Sequence, residues 1–337
     1  MPAWTIEPLL LPLRYVWKIS RNASTTKTNL LVRVAGHGHA GTGEAAPNVR
    51  YGEAPELLLA QFEALQGAGL ASVETLTGLD ALLAAQPVAH ALSFALESAL
   101  VQWLAAGAGQ PVWRWLGVPA PAPAVPTAFS LPIMAVGEVA GFLREQRAAR
   151  FSLLKIKVNQ AEGLDLLREV ARVLPGHALL VDGNETWPDA DSVLQFLEQA
   201  ARLPGLHLRL LEQPLPAACA ADYTHLRPLS PVPLIADESV TDTADFAAIA
   251  RHFHGVNVKL MKAGGYRRGI ELLRRTRAHG LLPMLGCMVE TTVGIAAALE
   301  ISALAEVHDL DGFLIVQDES FGLVREQDGS LSRPVGR

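Results

Sequence analysis

Five charged residues stand where short apolar segments end, and their spacing is regular. They are Lys157, Asp182, Glu212, Asp237 and Lys259, at intervals of 25, 30, 25 and 22 residues. Each interval is about the length of one strand plus one helix. In barrels built from such units, functional residues lie at the carboxyl ends of the strands. The spacing therefore predicts a ring around one opening, in the order lysine, three acids, lysine.

The stretch LLKIKVN, residues 153–159, places two lysines in an apolar strand. Because strand side chains alternate between faces, Lys155 and Lys157 point to the same side. Burying two ammonium groups is costly unless carboxylates pair with them. An exposed edge strand, where lysines oppose aggregation, is one explanation. The ring of charges favours the other, in which both lysines face a barrel mouth that also holds acids.

The three acids of the ring have the chemistry of a metal site. Carboxylates that converge repel one another unless a cation joins them, and oxygen ligands favour a hard ion such as Mg²⁺. We therefore predict that Asp182, Glu212 and Asp237 are Mg²⁺ ligands. The alternative is three separate salt bridges around the rim.

The two lysines of the ring could act as acid and base. Lys157 and Lys259 are about four strands apart, so they should face each other across the mouth. A nearby cation and partial burial favour neutral lysine, and Lys155 and the metal both act in that direction. A metal that binds the substrate carboxylate stabilises the enediolate formed when the α-proton leaves. Two bases would then epimerise the α-carbon, whereas one could support elimination.

Two regions with different patterns must position these residues. Residues 1–118 read as α+β, with a hairpin in TNLLVRVAG and GHAGTGEAAP. A segment rich in Pro and Gly follows, and after it eight short apolar strands alternate with helices over residues 119–312. Such repeats form a parallel sheet with right-handed crossovers. Eight strands suit a closed barrel, although an open sheet is an alternative.

Composition excludes several classes of protein. The chain has 337 residues, 50% hydrophobic and 18% charged, so it is globular and long enough for two domains. A net charge of −6 argues against nucleic acid as a partner. The cysteines, Cys219 and Cys287, are too few for a disulfide framework. With no signal-peptide pattern and no apolar run of membrane length, we expect a cytoplasmic protein that does not bind membranes.

The motifs KIK, VDGNETW, LEQPL, IADES, VNVKLMKAGG and GCMVET together resemble the enolase superfamily, in its muconate-lactonising subgroup. The resemblance covers nearly the whole barrel. It implies a (β/α)7β modified TIM barrel with an α+β capping domain, residues 1–118, on which residues 313–337 pack. It also implies Mg²⁺ as cofactor, Lys157 and Lys259 as the two acid/base catalysts, and Lys155 in support.

The motif HDLDG is similar to the Asp-x-Asp of dipeptide epimerases, which invert the α-carbon of the C-terminal residue of a dipeptide. The resemblance implies that Asp309 and Asp311 hold the free amino terminus. The nearest alternatives are o-succinylbenzoate synthase, N-succinylamino acid racemase and muconate cycloisomerase, whose anionic substrates have no ammonium group. A Schiff-base aldolase using one barrel lysine and a non-catalytic barrel are further alternatives.

Other residues have weaker signals. Three polar residues near the ring could orient the ligands and the base: Asn184, Glu238 and Asn257. Arg21, in a loop of the first region, could pair with an acidic substrate side chain. Lys262 is interpreted as a loop charge, and Glu290 has no assigned task. The resemblance allows a homo-oligomer of unspecified size.

Overall fold

The computed structural model describes residues 1–20, 22–241 and 243–334. Its N-terminal part contains an antiparallel sheet in the order β1-β2-β3. The strands are β1 (Ala3–Lys18), β2 (Ala23–Gly36) and β3 (His39–Ala45). The helices that follow are α1 (Pro55–Gly67), α2 (Leu76–Ala85), α3 (His90–Gly107) and α4 (Val112–Trp115).

The predicted hairpin is β2–β3, and β1 is an additional strand beside it. β1 contains Pro8 and Pro12, which weaken its strand signal. Its position at the edge of the sheet tolerates both prolines, because an edge strand needs hydrogen bonds on only one side.

The rest of the chain forms the predicted barrel. A short strand, β4 (Val125–Pro126), precedes an eight-stranded sheet in the order β12-β11-β10-β9-β8-β7-β6-β5, in which neighbouring strands are parallel. The strands are β5 (Ala128–Leu131), β6 (Leu153–Lys157), β7 (Ala178–Asp182), β8 (His207–Glu212), β9 (Leu234–Ala236), β10 (Gly255–Lys259), β11 (Leu282–Gly286) and β12 (Val307–Asp309).

Helices connect these strands in the (β/α)7β order. They are α5 (Val136–Glu145), α6 (Gly163–Val173), α7 (Ala190–Ala201), α8 (Ala220–Leu229), α9 (Phe246–His252), α10 (Leu260–Ala263), α11 (Tyr266–Ala278) and α12 (Thr292–Glu300). α6 buries one face, with Leu166, Leu167 and Val170 inward. Among the described residues, none of the helices has the length and apolar character needed to cross a membrane.

Side-chain hydrogen bonds join the residues that directly follow the last strand to the first strand and the residue before it. The Leu310 amide donates to Thr127 Oγ1 at 2.8 Å, and the Ser130 amide donates to Asp311 Oδ2 at 2.6 Å. The strands at the two ends of the sheet order, β5 and β12, therefore meet, and the prediction of a closed barrel is confirmed.

The C-terminal segment contacts both regions. The amide of Arg14 in β1 donates to Ile315 O at 2.9 Å, and the amide of Gln317 donates to Pro12 O at 2.8 Å. Further on, strands β13 (Arg325–Gln327) and β14 (Ser330–Ser332) form a small sheet with β4. The division into residues 1–118 with 313–337, and 119–312, remains a prediction.

The packing of α3 on β3 depends on a glycine. A Cβ added at Gly43 would lie 2.0 Å from the main-chain oxygen of Ala95 in α3, and a backbone contact cannot move aside as a flexible side chain can. We expect Gly43→Ala to lower the free energy of unfolding by about 1–3 kcal/mol, the usual cost of overpacking. Urea unfolding followed by circular dichroism measures this change.

Gly137→Ala in α5 is the matched control, because a Cβ there meets nothing within 4 Å. This change should leave stability unaltered or raise it by about 0.4–1 kcal/mol, since alanine restricts the unfolded chain. Equal unfolding midpoints for the Gly43 and Gly137 variants would contradict the packing argument.

Candidate active site

The barrel interior changes from an apolar layer to a polar layer along the strands. The apolar layer consists of Ala128, Leu153, Leu180, Leu210, Ile235, Met284 and Val307. The polar layer consists of the residues two positions later in the chain: Ser130, Lys155, Asp182, Glu212, Asp237, Gly286 and Asp309. Because alternate residues share a face, the second layer lies above the first, at the carboxyl ends of the strands. The apolar layer fills the barrel below the site, and the polar layer, which includes the three acids of the predicted ring, lies at the mouth.

Lys155 lies at the centre of this mouth and is only 1% exposed. Its Nζ is 3.1 Å from Asp182 Oδ2, 2.8 Å from Glu212 Oε2 and 2.8 Å from Asp309 Oδ2. Burial disfavours the ammonium form, yet these carboxylates raise the pKa of Lys155 well above its ordinary value. The Lys155 ammonium group therefore links two acids of the ring, Asp182 and Glu212, to Asp309.

Lys157 and Lys259 end β6 and β10, which lie four strands apart among eight. Lys157 Nζ is 2.9 Å from Asp182 Oδ2 and 5.7 Å from the ring centre of Trp17, a residue of β1. Lys259 Nζ is 2.9 Å from Asp237 Oδ2. Both lysines line one cavity of about 320 Å³. They therefore lie on opposite sides of a common space, as the spacing predicted.

Asp182 and Glu212 end neighbouring strands, and Asp237 directly follows the next one, β9. All three are at most 2% exposed. Glu212 Oε1 accepts a hydrogen bond from Asn257 Nδ2 at 2.8 Å. Burial, together with the charges of Asp182 and Asp237, raises the pKa of Glu212 to about 7 despite Lys155. The carboxylates therefore repel one another even with lysines between them.

Several observations show that these residues suit a divalent cation. The buried side chains of the mouth include six carboxylates (Asp182, Glu212, Asp237, Glu238, Asp309 and Asp311) and four lysines (Lys155, Lys157, Lys259 and Lys262). When all are ionised, they leave an excess of two negative charges. Glu212 Oε2 receives no hydrogen bond, although Lys155 lies nearby. Carboxylate oxygen is the donor that Mg²⁺ prefers.

The carboxylates are nevertheless not gathered as a ready set of ligands. Within the described ranges, no group of three or more His, Cys, Asp or Glu side chains is arranged to hold a metal ion. Lysine ammonium groups instead pair with the acids. Lys155 bridges Asp182 and Glu212. Lys157 contacts Asp182, and Lys259 contacts Asp237. The ligand role of Asp182, Glu212 and Asp237 therefore remains a proposal.

Asp309 and Asp311 both face the cavity but have different partners. Asp309 Oδ2 pairs with Lys155 at 2.8 Å. Asp311 accepts hydrogen bonds from the Ser130 amide at 2.6 Å and from Ser130 Oγ at 3.3 Å. Burial and the neighbouring Asp309 raise the pKa of Asp311 to about 7. Ser130, whose importance the sequence analysis missed, anchors the aspartate that has no ion pair to Lys155.

The three polar residues predicted to support the ring lie beside it. The main-chain amide of Asn184 donates to Asp182 Oδ1 at 3.0 Å, and its side-chain Nδ2 donates to Glu238 Oε1 at 3.4 Å. Asn184 Oδ1 is also 3.5 Å from Lys157 Nζ. Asn257 contacts Glu212, and a Cβ at Gly286 would lie 2.5 Å from Asn257 Oδ1, so glycine makes room for it.

Two further residues contact Asp237, and sequence reasoning did not identify them. Gln213 Oε1 accepts from the Asp237 amide at 2.9 Å and thereby links the ends of β8 and β9. The interpretation of Lys262 as a loop charge is wrong, because it lies in α10, is 8% exposed, and contacts Asp237 through Nζ. Its spacing from Lys259, three residues along a helix that starts at the strand end, is a signal that could have identified it.

The N-terminal region covers the mouth. Its contributions to the cavity wall include Leu13, Trp17, Ile19, Lys27 and Tyr51. Arg21, the predicted partner of a substrate side chain, lies outside the described residues.

Glu290 is buried beside this wall. Its Oε1 accepts from the Met288 amide at 2.7 Å, and burial with the nearby Glu44 raises its pKa to about 8. Glu44, from β3, accepts hydrogen bonds from the amides of Thr291 and Gly294 at the start of α12. The carboxylate of Glu44 therefore ties the N-terminal region to the loop after β11.

The chain belongs to the family described as enolase C-terminal domain-like, whose model matches residues 138–329. Over 336 residues it is 31% identical to the L-Ala-D/L-amino acid epimerase of Pedosphaera parvula, covering 96% of this chain and 94% of the relative. The substrate-liganded L-Ala-D/L-Glu epimerase from Bacillus subtilis has a TM-score of 0.89 at 25% identity, covering 98% and 96% of the two chains. The dipeptide epimerase from Methylococcus capsulatus, complexed with Mg and L-Arg-D-Lys, has a TM-score of 0.85 at 26% identity, covering 98% and 96%.

Proposed function

We propose that this protein is an isomerase, an Mg²⁺-dependent dipeptide epimerase that inverts the α-carbon of the C-terminal residue of a dipeptide. The observation that carries the proposal is the pair Lys157 and Lys259, on opposite sides of one cavity that also contains Asp309 and Asp311. The epimerase names of its relatives support the same reaction class.

The two lysines would move one proton each. With the α-carbon between them, a neutral lysine on one side removes the α-proton, and the ammonium of the other donates a proton to the opposite face. This 1,1-proton transfer inverts the configuration without any other change in the substrate. In the structure, burial opposes protonation of Lys259, but Asp237 raises its pKa above its ordinary value. Lys155 would hold the surrounding carboxylates in place through its contacts with Asp182 and Glu212.

Asp182, Glu212 and Asp237 would hold Mg²⁺. When bound, the ion would supply positive charge that favours the enediolate of the substrate carboxylate and the neutral form of a nearby lysine. Asn257 would orient Glu212, and Asn184 would orient Asp182, through the hydrogen bonds described above. Glu238 would help to orient Asn184 through the hydrogen bond that it accepts from the Asn184 side chain.

The test is ¹H NMR in D₂O with Mg²⁺ and a panel of L,L-dipeptides. We expect the α-proton signal of the C-terminal residue to disappear while the signals of the epimer appear. Turnover of an N-succinylamino acid or a cyclohexadiene carboxylate, without exchange in any dipeptide, would overturn the proposed substrate class and leave the lysine pair intact.

Asp311 should recognise the substrate ammonium group, because Asp309 is already paired with Lys155. We expect Asp311→Asn to raise KM for a dipeptide about 10- to 100-fold, since it removes a buried charge-assisted hydrogen bond. Asp309→Asn should lower kcat more than it raises KM, because it leaves Lys155 with one partner fewer. Steady-state kinetics on one dipeptide separates the two effects, and identical changes in both variants would contradict this division.

A further inference from the structure

Lys262 and Lys259 contact the same carboxylate through different oxygens. Lys262 Nζ donates to the main-chain oxygen of Asp237 at 2.6 Å and also to Asp237 Oδ1. Lys259 Nζ donates to Asp237 Oδ2 at 2.9 Å. The two lysines thus have separate roles at Asp237: one holds the residue by its main chain and one side-chain oxygen, and the other contacts only the remaining oxygen.

The backbone that carries Lys262 is firmly held. α10 has four residues and is followed by Gly264, whose φ of 78° lies in the left-handed region. Ser93 Oγ of α3 donates to Gly264 O at 2.7 Å, and a Cβ at Gly264 would lie 2.8 Å from a ring carbon of His90. Packing between the N-terminal region and the barrel therefore fixes the backbone next to Lys262, and the contacts with Asp237 hold its ammonium group.

We propose that Lys262 is a positioning residue that fixes Asp237 by Oδ1 and the main-chain oxygen, reserves Oδ2 for the functional partners of the site, and partly offsets the charge of this carboxylate. The proposal rests on the proposed function in assigning Asp237 to the metal site. Lys262 itself does not touch the substrate in this proposal, and its effect passes through Asp237.

Loss of Lys262 should strengthen Mg²⁺ binding but slow the reaction. A fixed positive charge beside a carboxylate opposes the binding of a divalent cation, so its removal should strengthen binding. The same removal frees Asp237 to rotate and to engage Lys259 with either oxygen, which should slow the reaction. A merely structural contribution would instead weaken metal binding, activity and stability together.

The experiment compares Lys262→Met with the wild-type protein after chelator treatment and dialysis. Isothermal titration calorimetry with MgCl₂ should give a Kd about 3- to 10-fold lower for the variant. NMR assays at saturating Mg²⁺ should give a kcat lower by about 10-fold or more with little change in KM. Lys262→Arg keeps the charge and should return the Mg²⁺ affinity to the wild-type value.

Arg274→Met is the matched control, because it removes one positive charge from an exposed position on α11. This change should alter neither the Kd for Mg²⁺ nor kcat. Weaker or unchanged Mg²⁺ binding in Lys262→Met overturns the proposal, and so does an unchanged kcat. If circular dichroism shows that Lys262→Met does not fold, Lys262→Gln takes its place under the same criteria. If the wild-type protein turns over no dipeptide, the proposed function fails, whereas the titration still decides the role of Lys262.

Discussion

Lys157→Ala is expected to lower kcat for dipeptide epimerisation by about 10³-fold, within the range that positioned acid–base groups contribute. The same loss is expected for Lys259→Ala. The reason is geometric: Lys157 and Lys259 lie on opposite sides of the cavity, so neither can serve both faces of the α-carbon. Lys155 is a poor substitute for either, because the three carboxylates that contact it raise the pKa of its ammonium group well above the ordinary value.

A sharper result distinguishes the two lysines. Each single variant retains the base on one side, so it should still exchange the α-proton of one epimer with D₂O, without inversion. Lys157→Ala and Lys259→Ala should therefore exchange opposite epimers, which ¹H NMR of each pure epimer in D₂O would reveal. Lys18→Ala, an exposed lysine of β1, should behave as the wild type. Exchange of the same epimer by both variants would contradict the two-base arrangement.

Removal of divalent metal is expected to reduce epimerisation to below about 1% of its initial rate, with recovery on addition of Mg²⁺. The physical reason is that the six buried carboxylates of the mouth outnumber its four buried lysines, and that burial, together with the charges of Asp182 and Asp237, raises the pKa of Glu212 to about 7. Glu212→Gln should weaken Mg²⁺ binding by about 100-fold, since it replaces a charged ligand with a neutral amide of similar shape. Activity after EDTA treatment and calorimetric titration measure the two effects.

The control for this prediction is Glu198→Gln on α7, which changes the same residue type at an exposed position paired with Arg202. It should leave Mg²⁺ affinity and activity unchanged. Full activity in excess EDTA would contradict the metal assignment, and borohydride trapping of a carbonyl substrate on a lysine would then favour the Schiff-base alternative.

The barrel could be predicted because its strands are short, apolar and regularly spaced. The eight strands predicted over residues 119–312 correspond to the eight strands of the sheet, from β5 to β12. The mouth could be predicted because the alternation of side chains decides which residues face inward, as Lys155 and Lys157 do. β1 escaped prediction, since its prolines conceal an edge strand whose partner is 14 residues long and lies later in the chain.

The sequence by itself determined the order of the strands and the side to which each charged residue points. It also determined the family resemblance, which places a lysine on either side of three carboxylates. These properties follow from local periodicity and the length of each βα unit. Only the tertiary structure decided which charges meet: Lys155 with Asp309, Lys262 with Asp237, and Ser130 with Asp311. Such pairs join residues up to 181 positions apart. Their distances depend on the stagger of strands around the barrel and on the packing of α10 against α3, which no local pattern specifies.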